Sequence, residues 1–380
     1  MNARHSVDPD GFFAGPAISF SKQPDLKRLF ECLIDPEKTF TFVVGAGASL
    51  DANLPTWSRL IENITELIPN ERWRTAAKED RSELLRKAES SLQLAQEDSN
   101  DTAVSIIREA LYRRSDGSTN NKPKYGRLAD VIARLATCLK DRVYVATINL
   151  DTLLEDAMTE YRRLTDAVKI AAVPFFAPEK DDEHYASYQQ TGVPANWRAG
   201  STVLHLHGIP EPGKDQEGNI VLTETDFVTY GPAVRGLIKR RLESSHVVFF
   251  GVSLTDPNLV SPLWEVNNQK PRATDVRESF VFSVAAPDPN AVDVNTSRAY
   301  AIKKAQYLSN DLGLHTIFLK SYGQQIQAIA EASLFVLRPG HYMTRKESRG
   351  VVQVWPPSQA IPGYLLHQYW LQRNTGHSRR

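Results

Sequence analysis

A parallel, doubly wound α/β sheet is the fold this sequence predicts, and three observations predict it. Short runs of β-branched and aromatic residues, such as Thr39–Val44 and His246–Gly251, recur along the chain at strand length. Between them lie longer stretches with apolar residues at helical spacing. The first strand stops abruptly at Gly45, in a turn of small residues that leads toward a helix. Alternation of this kind buries both faces of a parallel sheet under helices.

In chain order, residues 1–22 carry Gly, Pro and Ser with little periodicity and read as a loose N-terminal arm. Leu26, Leu29, Phe30 and Leu33 mark a helix over Asp25–Leu33, and strand Thr39–Val44 follows. Pro55 opens a helix from Thr56 to about Ile68, with Trp57, Leu60, Ile61, Ile64 and Leu67 on one face. Residues 70–140 read as an inserted helical subdomain, with helices at Leu84–Leu94, Thr102–Tyr112 and Leu128–Leu139 and a polar break at Ser115–Lys124. Strand Arg142–Thr147 and helix Asp151–Tyr161 come next, and residues 162–200 read as irregular. Strand Val203–His207, helix Ala233–Glu243 and strand His246–Gly251 follow. Strands at Phe280–Ala285 and Leu314–Leu319 flank a helix at Thr296–Asp311, and a last helix runs from Tyr322 to about Leu337. Residues 341–380 carry six Lys/Arg against one Glu and break the α/β pattern, which sets residues 23–340 apart as one catalytic-scale domain.

Composition narrows the function classes. The 380 residues balance 45 basic against 45 acidic groups, so nothing favours nucleic acid binding through the whole surface. A chain of this length buries a large core without staples. Cys32 and Cys138 are too few for a disulfide framework or a four-cysteine zinc module, and free thiols suit a reducing cytoplasm. No apolar run approaches the ~20 residues that cross a bilayer, and Met1–Pro16 lacks the apolar core of a signal peptide. A cytoplasmic protein without a membrane role is expected.

Four motifs fall at the carboxyl ends of predicted strands. The turn Gly45-Ala46-Gly47-Ala48-Ser49 either lets backbone N–H groups approach a phosphate or is a tight packing corner. It lacks the third glycine of a dinucleotide fingerprint and the Lys-Ser/Thr of a P-loop. In Thr147-Ile148-Asn149-Leu150-Asp151, Asn149 or Asp151 either caps the next helix or puts an amide in the cleft, with Asp151 orienting it or a ribose. His205 and His207 alternate onto one side of their strand, which invites a metal reading, yet no third ligand lies near in sequence. A histidine at a strand end before Gly208 is also placed to act as a general base, or is a hydrogen-bonded core residue. Finally, Gly251-Val252-Ser253-Leu254-Thr255-Asp256-Pro257-Asn258 is either a plain strand-to-helix loop or a loop offering Gly251 and Ser253 to a ribose or phosphate.

Taken together and in this order, the motifs resemble the sirtuin family, and more narrowly the sirtuin-like proteins of bacterial antiphage defence. The Gly-Ala-Gly-x-Ser turn matches Gly45–Ser49, and the small-Pro-aromatic stretch after it matches Leu54-Pro55-Thr56-Trp57. The Thr-x-Asn-x-Asp motif matches Thr147, Asn149 and Asp151, the catalytic His-Gly matches His207-Gly208, and the Gly-x-Ser loop matches Gly251 and Ser253. A Ser-Leu-x-Asp-Pro-Asn run, common in the defence branch, brings in Asp256. The resemblance covers about Phe40 to Leu337 and implies a Rossmann-like fold that binds NAD. One departure stands out. Deacylating sirtuins carry a four-cysteine zinc module between the His and Gly-x-Ser motifs, which this chain cannot build.

The resemblance therefore implies NAD as a substrate, with Asn149 and His207 catalytic and no metal expected. Asn149 would position a water, and His207 would take a proton from it or from a ribose hydroxyl. Water is then the simplest acceptor, giving nicotinamide and ADP-ribose. An NAD-dependent deacylase, an ADP-ribosyl transferase and a non-catalytic nucleotide-binding module are the alternatives. A toxic NAD hydrolase must be restrained, and defence relatives do so by oligomerising, by pairing with a HerA-type hexameric ATPase or a short Argonaute, or through fused sensors. At this length, with no evident sensor, a homo-oligomer or a HerA-type partner fits best.

The basic tail is the expected docking segment. Pro356, Pro357 and Pro362 forbid one continuous helix, while Trp355 and the Tyr364–Trp370 stretch supply the aromatic anchors common at interfaces. Deleting residues 341–380 is expected to leave the nucleotide fold intact while changing the assembly's mass by light scattering or abolishing pull-down of an ATPase partner. An unchanged oligomer that still binds its partner contradicts this.

Overall fold

Seven strands form one sheet in the order β3-β4-β2-β1-β5-β6-β7, all parallel. They are β1 (Phe40–Val44), β2 (Val143–Thr147), β3 (Ala171–Pro174), β4 (Thr202–His205), β5 (His246–Phe250), β6 (Ser279–Val284) and β7 (Leu314–Leu319). This is a computed structural model, and it describes residues 24–97, 99, 101–113, 122–165, 169–175, 194–210, 220–269, 277–284, 303–319 and 322–337. The arm at 1–22, the tail at 341–380 and most of the Ser115–Lys124 break lie outside the described residues.

Strand alternation explains the layers. Phe40, Phe42 and Val44 of β1, with Val248 and Phe250 of β5, enter one core. That core is covered by α1 (Pro24–Ile34), α6 (Arg127–Leu139), α7 (Leu153–Thr165) and α10 (Tyr322–Leu337). Val43, Val247 and Phe249 face the other way, beneath α8 (Glu224–Ser244), α9 (Pro257–Gln269) and helical residues 303–310. Helices thus cover both sides, as a doubly wound α/β sheet requires.

A third core lies beside the sheet. It joins α2 (Trp57–Glu66), α3 (Glu71–Glu79), α4 (Leu84–Glu97) and α5 (Ala103–Tyr112) to Leu150, Leu153 and Leu222. Of the helices expected within residues 70–140, α6 packs on the sheet, and only the earlier ones build this separate cluster.

Several elements differ from expectation. β3 sits within the stretch expected to be irregular, because its four residues, Ala-Ala-Val-Pro, carry almost no strand signal. α3 is a further helix, strongly polar and capped by the Asn70 side chain. α8 begins nine residues before the expected Ala233. Pro232 sits inside it, and Val228, whose carbonyl loses its donor, is 73% exposed, so water can take that place. β4 stops at His205 and leaves His207 in the following turn.

Register sets the level at which the strands end. Val44 pairs with Thr147 and with Phe250, and Thr147 pairs with His205. The residues just beyond these four partners are therefore brought together at one edge. Two of the turns there interlock. Gly47 N–H donates to the Gly251 carbonyl at 3.0 Å, and Gly251 holds φ +62°. A Cβ on Gly47 would lie 2.7 Å from Gly251 Cα, and one on Gly251 would lie 2.7 Å from the Ala48 nitrogen. Gly251→Ala is expected to cost at least about 1–2 kcal/mol from the left-handed backbone alone. The contact with the β1 turn adds to that, and chemical denaturation reads the sum. A variant as stable as the wild type would show the turns free to separate.

Candidate active site

A cavity of about 920 Å³ opens where the sheet's carboxyl edge meets the third core. Ala46, Gly47 and Ser49 line it from the β1 turn, and Pro55 and Trp57 from the start of α2. Asn149 and Asp151 enter after β2, His207 after β4, and Gly251, Ser253 and Asp256 after β5. Gly45 and Thr147 stand behind the wall as supports. Gly45 N–H donates to the Phe250 carbonyl at 2.9 Å, and Thr147 Oγ1 donates to the Val44 carbonyl at 3.0 Å.

In the β1 turn, the amides of Gly45, Gly47 and Ala48 all donate to main-chain carbonyls. The glycines here serve the close packing of two turns.

Asn149 is held from three sides. Its backbone N–H donates to Thr147 Oγ1 at 3.0 Å. Its side-chain Nδ2 donates to Ser49 Oγ at 3.1 Å, and Ser49 in turn donates to Asp151 Oδ2 at 2.8 Å. Asp151 reaches Asn149 through Ser49, and its other oxygen accepts the Leu153 N–H at the start of α7. Burial raises the Asp151 pKa, and the Ser49 and Leu153 hydrogen bonds oppose that rise. With the amide nitrogen engaged, Asn149 Oδ1 is left buried without a partner.

His207 is 2% exposed and sits among apolar rings. Trp57 and Phe227 approach it edge-on, with ring centroids 5.8 and 5.3 Å away. Neither ring nitrogen has a hydrogen-bond partner, although Nε2 is 3.3 Å from Asp256 Oδ2. Unpartnered polar atoms cost free energy in a buried site, so Asn149 Oδ1 and the His207 ring are suited to a polar ligand that enters the cavity.

His205 does not share this environment, and the expected common face of His205 and His207 is corrected here. Because β4 ends at His205, that ring turns behind the wall. Its Nδ1 meets the Asn149 carbonyl at 3.0 Å, and its Nε2 pairs with buried Glu155 of α7. With both nitrogens engaged by Asn149 and Glu155, the arrangement favours a doubly protonated ring and leaves no atom for a metal. Burial opposes that charge, and the Glu155 carboxylate, the Asn149 carbonyl and Asp151 together more than reverse the effect, leaving the His205 pKa raised.

A different potential ligand cluster lies at the opposite sheet edge, where Cys32, His246 and Glu278 each bring an atom within 4.8 Å of the others. Glu278 is paired there with Arg28, accepts from Cys32 Sγ at 3.5 Å, and donates its N–H to His246 Nδ1 at 3.2 Å. Burial and the Glu278 charge push the Cys32 thiol up to about 11. These groups satisfy one another beside a guanidinium, which disfavours a cation.

Several lining residues escape sequence reasoning. Phe227 comes from the unanticipated first half of α8, and Leu84, Leu85 and Leu111 come from the helical cluster. Tyr322 and Gln325 of α10 close the far side. Tyr322 donates to the Gly47 carbonyl at 2.8 Å, and Gln325 Nε2 is buried and unpartnered. Their α10 reads as an ordinary apolar helix, so nothing local marks them.

Residues 143–309 match a SIR2-like domain, which supports a Sir2-type family and with it an action on NAD. No curated protein shows significant similarity to the chain. Among the described residues, no helix is long and apolar enough to cross a membrane.

Breaking the buried His205–Glu155 pair leaves one charge without its partner, so Glu155→Gln or His205→Ala is expected to cost about 3–5 kcal/mol. Because the folded His205 pKa is raised, its contribution is fully present below about pH 6.5 and is lost as pH rises through the raised value. Thermal unfolding over a pH series should show this decline in the wild type and a flatter profile in Glu155→Gln. Parallel profiles would mean that the pair is not charged.

Proposed function

We propose that the protein is an NAD hydrolase that releases nicotinamide and ADP-ribose, with Asn149 and His207 at the reacting centre. The observation that carries this reading is the pair of buried, unpartnered acceptors, Asn149 Oδ1 and the His207 ring, on one wall of a large cavity. The cavity's apolar rings and leucines suit the flat bases of a dinucleotide, and its few polar groups suit ribose hydroxyls and a water.

In the reaction, the bond between the ribose C1′ and the nicotinamide nitrogen breaks, and its electron pair leaves with nicotinamide. A water held by Asn149 Oδ1 forms the new bond to C1′. His207 accepts the proton that the water loses. Acid–base assistance of this kind contributes about 10²–10⁴-fold. The Trp57 and Phe227 rings keep bulk water from His207 and so limit competing proton donors.

Deacylation and transfer to a protein are less well supported. The chain from Gly208 to Gly251 contains no cysteine to build the zinc module that frames an acyl-peptide channel. Within this proposal the protein serves antiphage defence as an effector that depletes NAD, in the cytoplasm. A homo-oligomer or a HerA-type hexameric ATPase is proposed to restrain it.

His207→Ala and Asn149→Ala are each expected to lower nicotinamide release at least about 10²-fold in a folded protein. Chelation with EDTA is expected to leave the rate unchanged. Near-full turnover by either variant removes this mechanism. Loss of activity with EDTA and its return with a divalent ion contradicts the metal-free chemistry.

A further inference from the structure

We infer that Asp256 is a positioning residue for His207, holding its ring as a base with the lone pair on Nδ1; this rests on the hydrolase reading above. The sequence places Asp256 in a nucleotide-binding loop, but its carboxylate points at the imidazole. Asp256 Oδ2 lies 3.3 Å from His207 Nε2, and neither atom has a hydrogen-bond partner. The other carboxylate oxygen is fixed, since Asp256 Oδ1 accepts the Asn258 N–H at 2.8 Å where α9 begins. Asn258 is itself held, its Oδ1 accepting from Arg235 Nη1 at 3.1 Å.

The loop carries strain to reach this position. Gly251 and Leu254 hold φ +62° and +55°, and for leucine that conformation is disfavoured. On the other side, Val221 N–H donates to the His207 carbonyl at 3.0 Å and fixes the turn that bears the ring. Trp57 and Phe227 prevent the ring from rotating toward solvent. Among the described residues, the charged group paired with the imidazole is Asp256, on the Nε2 side.

No hydrogen bond joins the two, but a negative charge 3.3 Å from Nε2 favours the tautomer with its proton on that nitrogen. Nδ1 is then the basic atom, buried and without a partner. When Nδ1 takes the proton from the attacking water, the imidazolium that forms is stabilised by Asp256, as the aspartate of a hydrolytic triad stabilises its histidine. Asp256 itself transfers no proton.

Two measurements test this. Selective ¹⁵N-histidine labelling of the wild-type protein, at mildly alkaline pH, should show His207 with a protonated Nε2 and a bare Nδ1. Asp256→Asn keeps an oxygen to accept the Asn258 N–H but puts an amide or a neutral oxygen before Nε2. It should lower kcat for nicotinamide release at least about 10²-fold, with KM within about threefold and unfolding unchanged. An unchanged kcat with a raised KM would make Asp256 a ribose-binding residue and overturn the inference. So would an Nδ1–H tautomer in the active wild type. A wild type with the Nε2–H tautomer that releases no nicotinamide would overturn the hydrolase reading and leave the pair standing.

Discussion

Parallel register is the constraint on which the rest of the structure depends. Val44, Thr147, Phe250 and His205 lie level with one another across β1, β2, β5 and β4. Each of these strands is followed within three residues by a group that lines or shapes the cavity. A one-residue slip in any of them would reverse its side chains between the two cores and remove its turn from the cavity. The common level of the strand ends therefore brings the turns bearing Asn149 and His207 to one space. Ligands of doubly wound sheets sit outside the carboxyl ends of the strands, where the winding order reverses. Here β2 and β5 flank β1 on opposite sides, which opens that crevice beside the Gly45–Ser49 turn.

Along and behind the cavity wall the polar groups are arranged in series. Asp151 holds Ser49, Ser49 holds the Asn149 amide, and the Glu155–His205 pair holds the Asn149 carbonyl. Polar chains in a low-dielectric interior fix orientation more strongly than isolated bonds do. The result is an amide with one free oxygen and no freedom to turn. His207 is fixed differently, by the packing of Trp57 and Phe227, with the Asp256 carboxylate 3.3 Å from its Nε2.

Much of this was legible in the sequence. Strand ends at Gly45, Thr147 and Gly251 are marked by β-branched and aromatic runs that stop at small or polar residues, and those signals are local. What was not legible comes from residues whose roles are set by distant partners. Phe227 reaches His207 from a helix start hidden by Gly231 and Pro232, and Asp256 reads as part of a nucleotide-binding loop until the turn bearing His207 folds beside it. The common side for His205 and His207 assumed a strand two residues longer than β4 proves to be. β3 was unreadable because an Ala-Ala-Val-Pro edge strand depends on its pairing with β4 and on no propensity of its own.

The central claim is that this cavity delivers water to C1′ of NAD. Its most direct test is to incubate the purified protein with NAD over a range of protein concentrations and to quantify the products by chromatography. The account predicts nicotinamide and ADP-ribose in equal amounts, with no acyl or protein acceptor added. Nicotinamide release that needs an acylated peptide, or that leaves ADP-ribose attached to protein, would contradict it.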